Sequence, residues 1–185
     1  MLKVSDRAHS SASLVVLWGT VALGLPPFLP DSPLRHLTEP PYLAAMAAAL
    51  TAALATILRW RWPRAERVMF AAFLGGMPLT YVGNWFRWDH HGSWILVELA
   101  GLTLYATFAI LGLRKSAWWL AIGTFAHGLA WDLWHHDHIV ATVTAKTSVP
   151  NWYAIACLVF DLGFGAYIAL QVPRWQRLTL RFAPP

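Results

Sequence analysis

Apolar residues along this chain do not alternate with polar ones as in a strand. They gather in six long runs, separated by short clusters of Arg, Pro, Asp and His. The runs fall at 13–30, 41–60, 68–86, 93–113, 116–134 and 151–172. As helices they match a bilayer core of about 30 Å, which takes roughly 20 residues to cross. The pattern predicts an all-α fold, a polytopic membrane bundle of six transmembrane helices forming one integral-membrane domain over residues 1–185. In the first run Pro26 and Pro27 follow Lys3 and Arg7, so a kinked, retained helix is expected, with a cleaved signal segment as the alternative. Asp6 and the poor cleavage site at Ala22-Leu23-Gly24 favour retention. In the second run Ala45, Ala49 and Ala53 recur once per turn, a small-residue face on which helices approach closely in lipid.

Charge orients the bundle. With alternating loops, eleven Lys and Arg lie on one side (Lys3, Arg7, Arg59, Arg61, Arg64, Arg67, Arg114, Lys115, Arg174, Arg177, Arg181) and only Arg35, Arg87 and Lys146 on the other. Short cytoplasmic loops carry the cationic excess, so both termini are expected in the cytoplasm of a bacterial inner-membrane protein. Trp60, Trp62, Trp118, Trp119 and Trp175 then mark the inner interface, and Trp85, Trp88, Trp94, Trp131, Trp134 and Trp152 the outer one.

Composition agrees with this setting: 57% of residues are hydrophobic, 12% are charged, and mean hydropathy is +0.46. A net charge of +5 would invite a nucleic-acid partner, but the arginines sit between apolar runs and not on one soluble face, so none is expected. The single cysteine excludes an intrachain disulfide framework. No phosphate-binding glycine loop, nucleophile elbow or His-Glu-x-x-His pair occurs, which removes the common nucleotide, serine-hydrolase and zincin chemistries. A faint repeat links Trp88-Asp89-His90-His91 to Trp131-Asp132 and His135-His136, too short to argue from.

The chemistry collects on the outer side. Seven of nine acids and seven of eight histidines lie there (His36, His90, His91, His127, His135, His136, His138), whereas Asp6, Glu66 and His9 lie inside. In the fifth run, at 100° per residue, His127, His135 and Asp132 stand at about 0°, 80° and 140°, one broad helix face. Asp161 lies about 14 Å below Trp152, His127 about 10 Å below Trp134 and Glu98 about 6 Å below Trp94. A lone carboxylate at such depth is costly and calls for a partner, water or a metal.

This stretch resembles a set of uncharacterised small bacterial integral-membrane proteins with a His-x3-Trp-Asp-x2-His core and a Pro-x-Trp-Tyr-x3-Cys-x3-Asp segment. Here these positions are His127, Trp131, Asp132 and His135, then Pro150, Trp152, Tyr153, Cys157 and Asp161. The match covers the C-terminal third, and the earlier helices only by general character. It implies that His127, Asp132, His135 and Asp161 act as one unit, and implies no reaction.

Imidazole with carboxylate suits a divalent metal, zinc first and iron or manganese next. The expected metal ligands are His127, Asp132, His135 and Asp161, with Asp132 and Glu98 as catalytic residues, Glu98 serving as general base or supporting the ligands. Tyr81 and Asn84 line the same cavity or anchor at the interface; Cys157, one turn before Asp161, is a thiolate ligand or a packing residue. His90, His91, His136 and His138 are expected in solvated loops. The functional expectation is a metal-dependent integral-membrane enzyme, hydrolytic, open to the outer leaflet or periplasm, acting on a lipid-like substrate among membrane lipids. The alternatives are metal-ion or proton transport or sensing, and a non-catalytic complex subunit. Transport is disfavoured because the inner halves of the helices offer little beyond Thr51, Thr56, Thr103, Tyr105 and Thr107.

Overall fold

The computed structural model describes residues 11–18, 40–87, 94–135 and 151–181, with side chains over 11–18, 46–83, 95–135 and 155–178. Within these limits the chain is all-helical: α1 (11–18), α2 (Pro40–Arg61), α3 (Pro63–Gly76), α4 (Pro78–Arg87), α5 (Trp94–Arg114), α6 (Trp118–Ala126), a π-helical segment (His127–Asp132), α7 (Leu133–His135) and α8 (Asn151–Arg181). The expected runs at 41–60 and 93–113 coincide with α2 and α5 to within a residue at each end.

Besides the fifth run, which passes through the π segment, two runs differ from a plain span at a proline. The third is divided: the Met77 amide still bonds the Phe73 carbonyl at 2.9 Å, but Pro78 has no amide hydrogen and α4 restarts there. The sixth was expected to end at 172, ahead of Pro173, yet α8 runs through that proline to Arg181.

Among the described residues two stretches, Ile95–Arg114 and Ile155–Leu178, are long and apolar enough to cross a membrane. Buried core helices of a soluble protein meet the same test, but Ile95–Arg114 has only 28% of its apolar window buried and exposes Leu96, Leu104 and Ile110. Exposed Leu50, Ile57, Ile122 and Leu129 extend this apolar surface over α2, α6 and the π segment. Such a surface is favourable against lipid and costly against water. The face of α2 that packs is Ala48, Ala52 and Ala55, one position round from the expected one, with Ala49 and Ala53 at its margin.

α5 packs on α3, α4 and α6, while α8 packs on α6 and the π segment, and α2 on α3. The arrangement separates two polar ends. At one, Arg67 of α3 donates to the carbonyls of Gly112 and Leu113 at the end of α5. There too Glu66 accepts from Tyr167 and from Trp175 (3.0 Å), and Arg174 donates to the Arg59 carbonyl. At the other end Tyr81, Glu98, His127, Asp132, His135 and Asp161 meet. Between them lies an aromatic layer. Phe164 stands between Asp161 and Tyr167 on α8, and packs edge-on against Phe73 (centroids 5.4 Å apart) and Phe70 (6.1 Å) of α3.

Candidate metal centre

The centre begins with a change of helix type. After Ala126 the chain passes from α to π geometry for His127–Asp132, then returns to α. A π turn closes i→i+5 hydrogen bonds, so residues five apart lie above one another. His127 and Asp132 are five apart. In a regular α-helix they would diverge by about 140°; here the His127 Nδ1 lies 3.4 Å from the Asp132 Oδ1.

Helix α8 brings the second carboxylate. The Asp161 Oδ2 lies 2.6 Å from the His127 Nδ1, a hydrogen bond in which the imidazole N–H donates. This approach depends on Gly128, since a Cβ there would fall 2.9 Å from the Asp161 Cβ. Trp131 is seated in the same way, its ring lying where a side chain at Gly101 of α5 would project.

His127, Asp132 and Asp161 are 1%, 1% and 0% exposed. One ligand-type atom from each lies within 4.8 Å of the others, and the group can hold a metal ion. Its donor set fits one: an imidazole and two carboxylates suit a borderline or hard divalent cation. So do its unmet atoms. Asp132 Oδ2 and Asp161 Oδ1 are buried with no hydrogen-bond partner among the described residues, and an orphaned buried polar atom costs roughly 1–3 kcal/mol.

Tyr81 donates its hydroxyl to the Asp132 Oδ1, with its ring against His127 and His135 at centroid distances of 5.9 and 4.5 Å. From α5, Tyr105 packs edge-on against His127 at 4.7 Å and donates to the Ala126 carbonyl at 3.3 Å.

His135 and Glu98, both buried, form a neighbouring pair. The His135 Nδ1 is 2.7 Å from the Trp131 carbonyl oxygen, which only accepts, so Nδ1 carries hydrogen. The Nε2 lies 3.1 Å from the Glu98 Oε1. That contact requires one proton shared between nitrogen and carboxylate. His135, expected among the ligands, thus has both nitrogens engaged outside the His127, Asp132 and Asp161 group, and Glu98 lies on His135.

Cys157 is half-buried and outside the metal-holding group. His36, His90, His91, His136, His138 and Pro150 fall outside the described residues, as do the side chains of Asn84, Trp152 and Tyr153. Sequence reasoning missed the buried polar cluster at the opposite end, around Glu66, Arg59, Tyr167 and Trp175. Its one available signal was an acid set alone among arginines. Tyr81, open between cavity and interface from sequence, belongs to the cavity, since its hydroxyl donates to Asp132. Against known proteins, the chain matches no family model, no curated protein and no solved structure.

Proposed function

We propose that this chain is a metal-dependent integral-membrane enzyme, hydrolytic in reaction, whose ion is held by His127, Asp132 and Asp161. The observation that carries the reading is the convergence of these groups from the π segment and α8, buried and with one oxygen of each carboxylate unmet. Zinc suits the donor set first, iron(II) or manganese(II) next. When bound, such an ion polarises a carbonyl or phosphoryl oxygen and brings the pKa of a bound water near 7.

The chain's own residues supply the rest. The His127 Nδ1 faces both carboxylates, so an ion held by all three residues would take the place of the proton that Nδ1 now donates to Asp161, and Tyr81 holds one oxygen of Asp132, leaving the other to donate. Glu98 is the general base through its Oε2, while its Oε1 shares the resting proton with His135. The site lies at the end away from the arginines, which by the charge rule faces the outer leaflet or periplasm of a bacterial inner membrane. A lipid-like substrate is consistent with a polar centre among lipid-facing helices. Transport is the weaker reading: the polar cluster around Glu66 does furnish the opposite half, but Phe70, Phe73 and Phe164 separate the two.

Elemental analysis of the detergent-purified protein tests this directly. About one divalent metal per chain is expected, lost in His127→Ala and Asp161→Asn with the fold retained. Chelation should abolish hydrolysis of fatty-acyl or phospholipid esters, and zinc should restore it. A metal-free wild type, or stoichiometric metal in both variants, would overturn the assignment.

A further inference from the structure

The polar cluster at the other end plays no part in that chemistry, and among the described residues its cations outnumber its acids. Arg59, at the end of α2, is 2% exposed. Its Nη1 donates to the Ser13 Oγ at 2.6 Å, and its Nε is buried without a hydrogen-bond partner among the described residues. Arg174, 27% exposed, reaches in from α8 to the Arg59 carbonyl and lies 3.9 Å from the Glu66 Oε2. Glu66 is the one acid at this end among the described residues, and its two oxygens already accept from Tyr167 and Trp175. A single carboxylate neutralises at most one of the two guanidiniums.

Around this core the surface is cationic and aromatic together. Arg61 and Arg64, on either side of the turn from α2 to α3, and Arg177 on α8 are exposed, as are Arg114 and Lys115 after α5. Trp60, Trp62, Trp118 and Trp119 are exposed beside them. Indole side chains settle at headgroup depth in a bilayer. They set these arginines level with lipid phosphates, whose paired oxygens match the guanidinium fork.

We propose that this end of the bundle, formed by the α2–α3 corner and the end of α8, binds the headgroup of an anionic glycerophospholipid. The rim arginines Arg61, Arg64 and Arg177 supply its attraction, and Arg174 links it to the buried charge of Arg59. A phosphodiester with no compensating choline brings a net negative charge to this cationic end; a zwitterionic lipid does not.

The test uses the full chain reconstituted in equal amounts of phosphatidylglycerol and phosphatidylcholine, with retained lipid counted by native mass spectrometry. Wild type should keep phosphatidylglycerol in at least fivefold excess. Each rim arginine removed should cut the preference by up to about fivefold, the worth of one basic residue near an anionic surface, so Arg64→Gln with Arg177→Gln should bring it to parity. Equal retention of the two lipids by wild type, or an unchanged preference in the double variant, would overturn the proposal. If the double variant does not fold, wild type in rising salt carries the test: screening must erode the preference, and a salt-independent one refutes it. Phosphatidylglycerol displaced by millimolar inorganic phosphate would assign the site to a free anion and overturn the lipid reading.

Discussion

Gly128 offers a demanding test of the proposed centre, because it touches none of the candidate ligands through a side chain of its own. Gly128→Ala places a Cβ 2.9 Å from the Asp161 Cβ, and 3.5 Å from both the Leu158 Cδ1 and the Leu158 carbonyl oxygen. Ordinary contact begins near 3.4 Å, so α8 and the π segment must part by about 0.5 Å. Neither side yields easily, for a Cβ moves only with its backbone. The parting stretches the 2.6 Å contact between Asp161 and His127 toward the limit of about 3.2 Å for a good hydrogen bond. Overpacking costs about 1–3 kcal/mol, and weakening a charge-assisted bond adds to this, for a total of about 2–4 kcal/mol. Gly75→Ala is the control: the added Cβ meets the Ala109 Cβ at 3.6 Å, an ordinary contact, and within a helix the exchange is neutral or stabilising by up to about 1 kcal/mol. Thermal unfolding in detergent, with metal content measured on the same samples, separates the two. Gly128→Ala should unfold at lower temperature and lose metal, while Gly75→Ala should do neither. Wild-type melting and metal content in Gly128→Ala would refute the claim that this close approach builds the site.

Tyr81→Phe removes the donor to Asp132 and keeps the ring; metal affinity should fall about tenfold, read by competition with a chromophoric chelator, and Tyr81→Leu should add a stability loss that Tyr81→Phe lacks. Glu98→Gln removes the carboxylate that shares a proton with His135; with metal content retained, turnover should fall by about a hundredfold or more, and equal turnover would place Glu98 in packing alone. Arg67→Gln leaves the Gly112 and Leu113 carbonyls without the guanidinium that caps them and should cost about 1–3 kcal/mol, seen as a lower melting temperature with metal unchanged. Reporter fusions after Arg64 and Lys115 should read cytoplasmic and those after His91 and Lys146 external; inverted readings would reverse the assigned sidedness.

Much of the scaffold was legible because it follows from local quantities. Run lengths set the bounds of α2 and α5 closely, since both end where the apolar run meets arginine. The grouping of His127, Asp132 and Asp161 was legible too: a buried acid on α8 needs a partner, and the adjacent run offers the imidazole. The segregation of arginines from histidines reappears as two polar ends of one bundle.

What the sequence could not carry was angular and long-range. Residue spacing gives direction at 100° per residue only in an α-helix, so it does not reveal the π turn that sets Asp132 beside His127. An i→i+5 turn is selected by its neighbours, here Gly128 against Asp161 and Trp131 over Gly101, and not by local propensity. His135 appeared on the same face as the ligands, but the Trp131 carbonyl and Glu98 take its two nitrogens, a choice made by α5, some 37 positions away. The cluster of Glu66 with Tyr167 and Trp175 joins residues more than 100 positions apart. Hydropathy and loop charge determined which segments are helical and which end is basic. Only the packing of those helices decided which ionisable groups meet, because burying a charge is tolerable only beside a partner, and the partner comes from wherever the fold brings one.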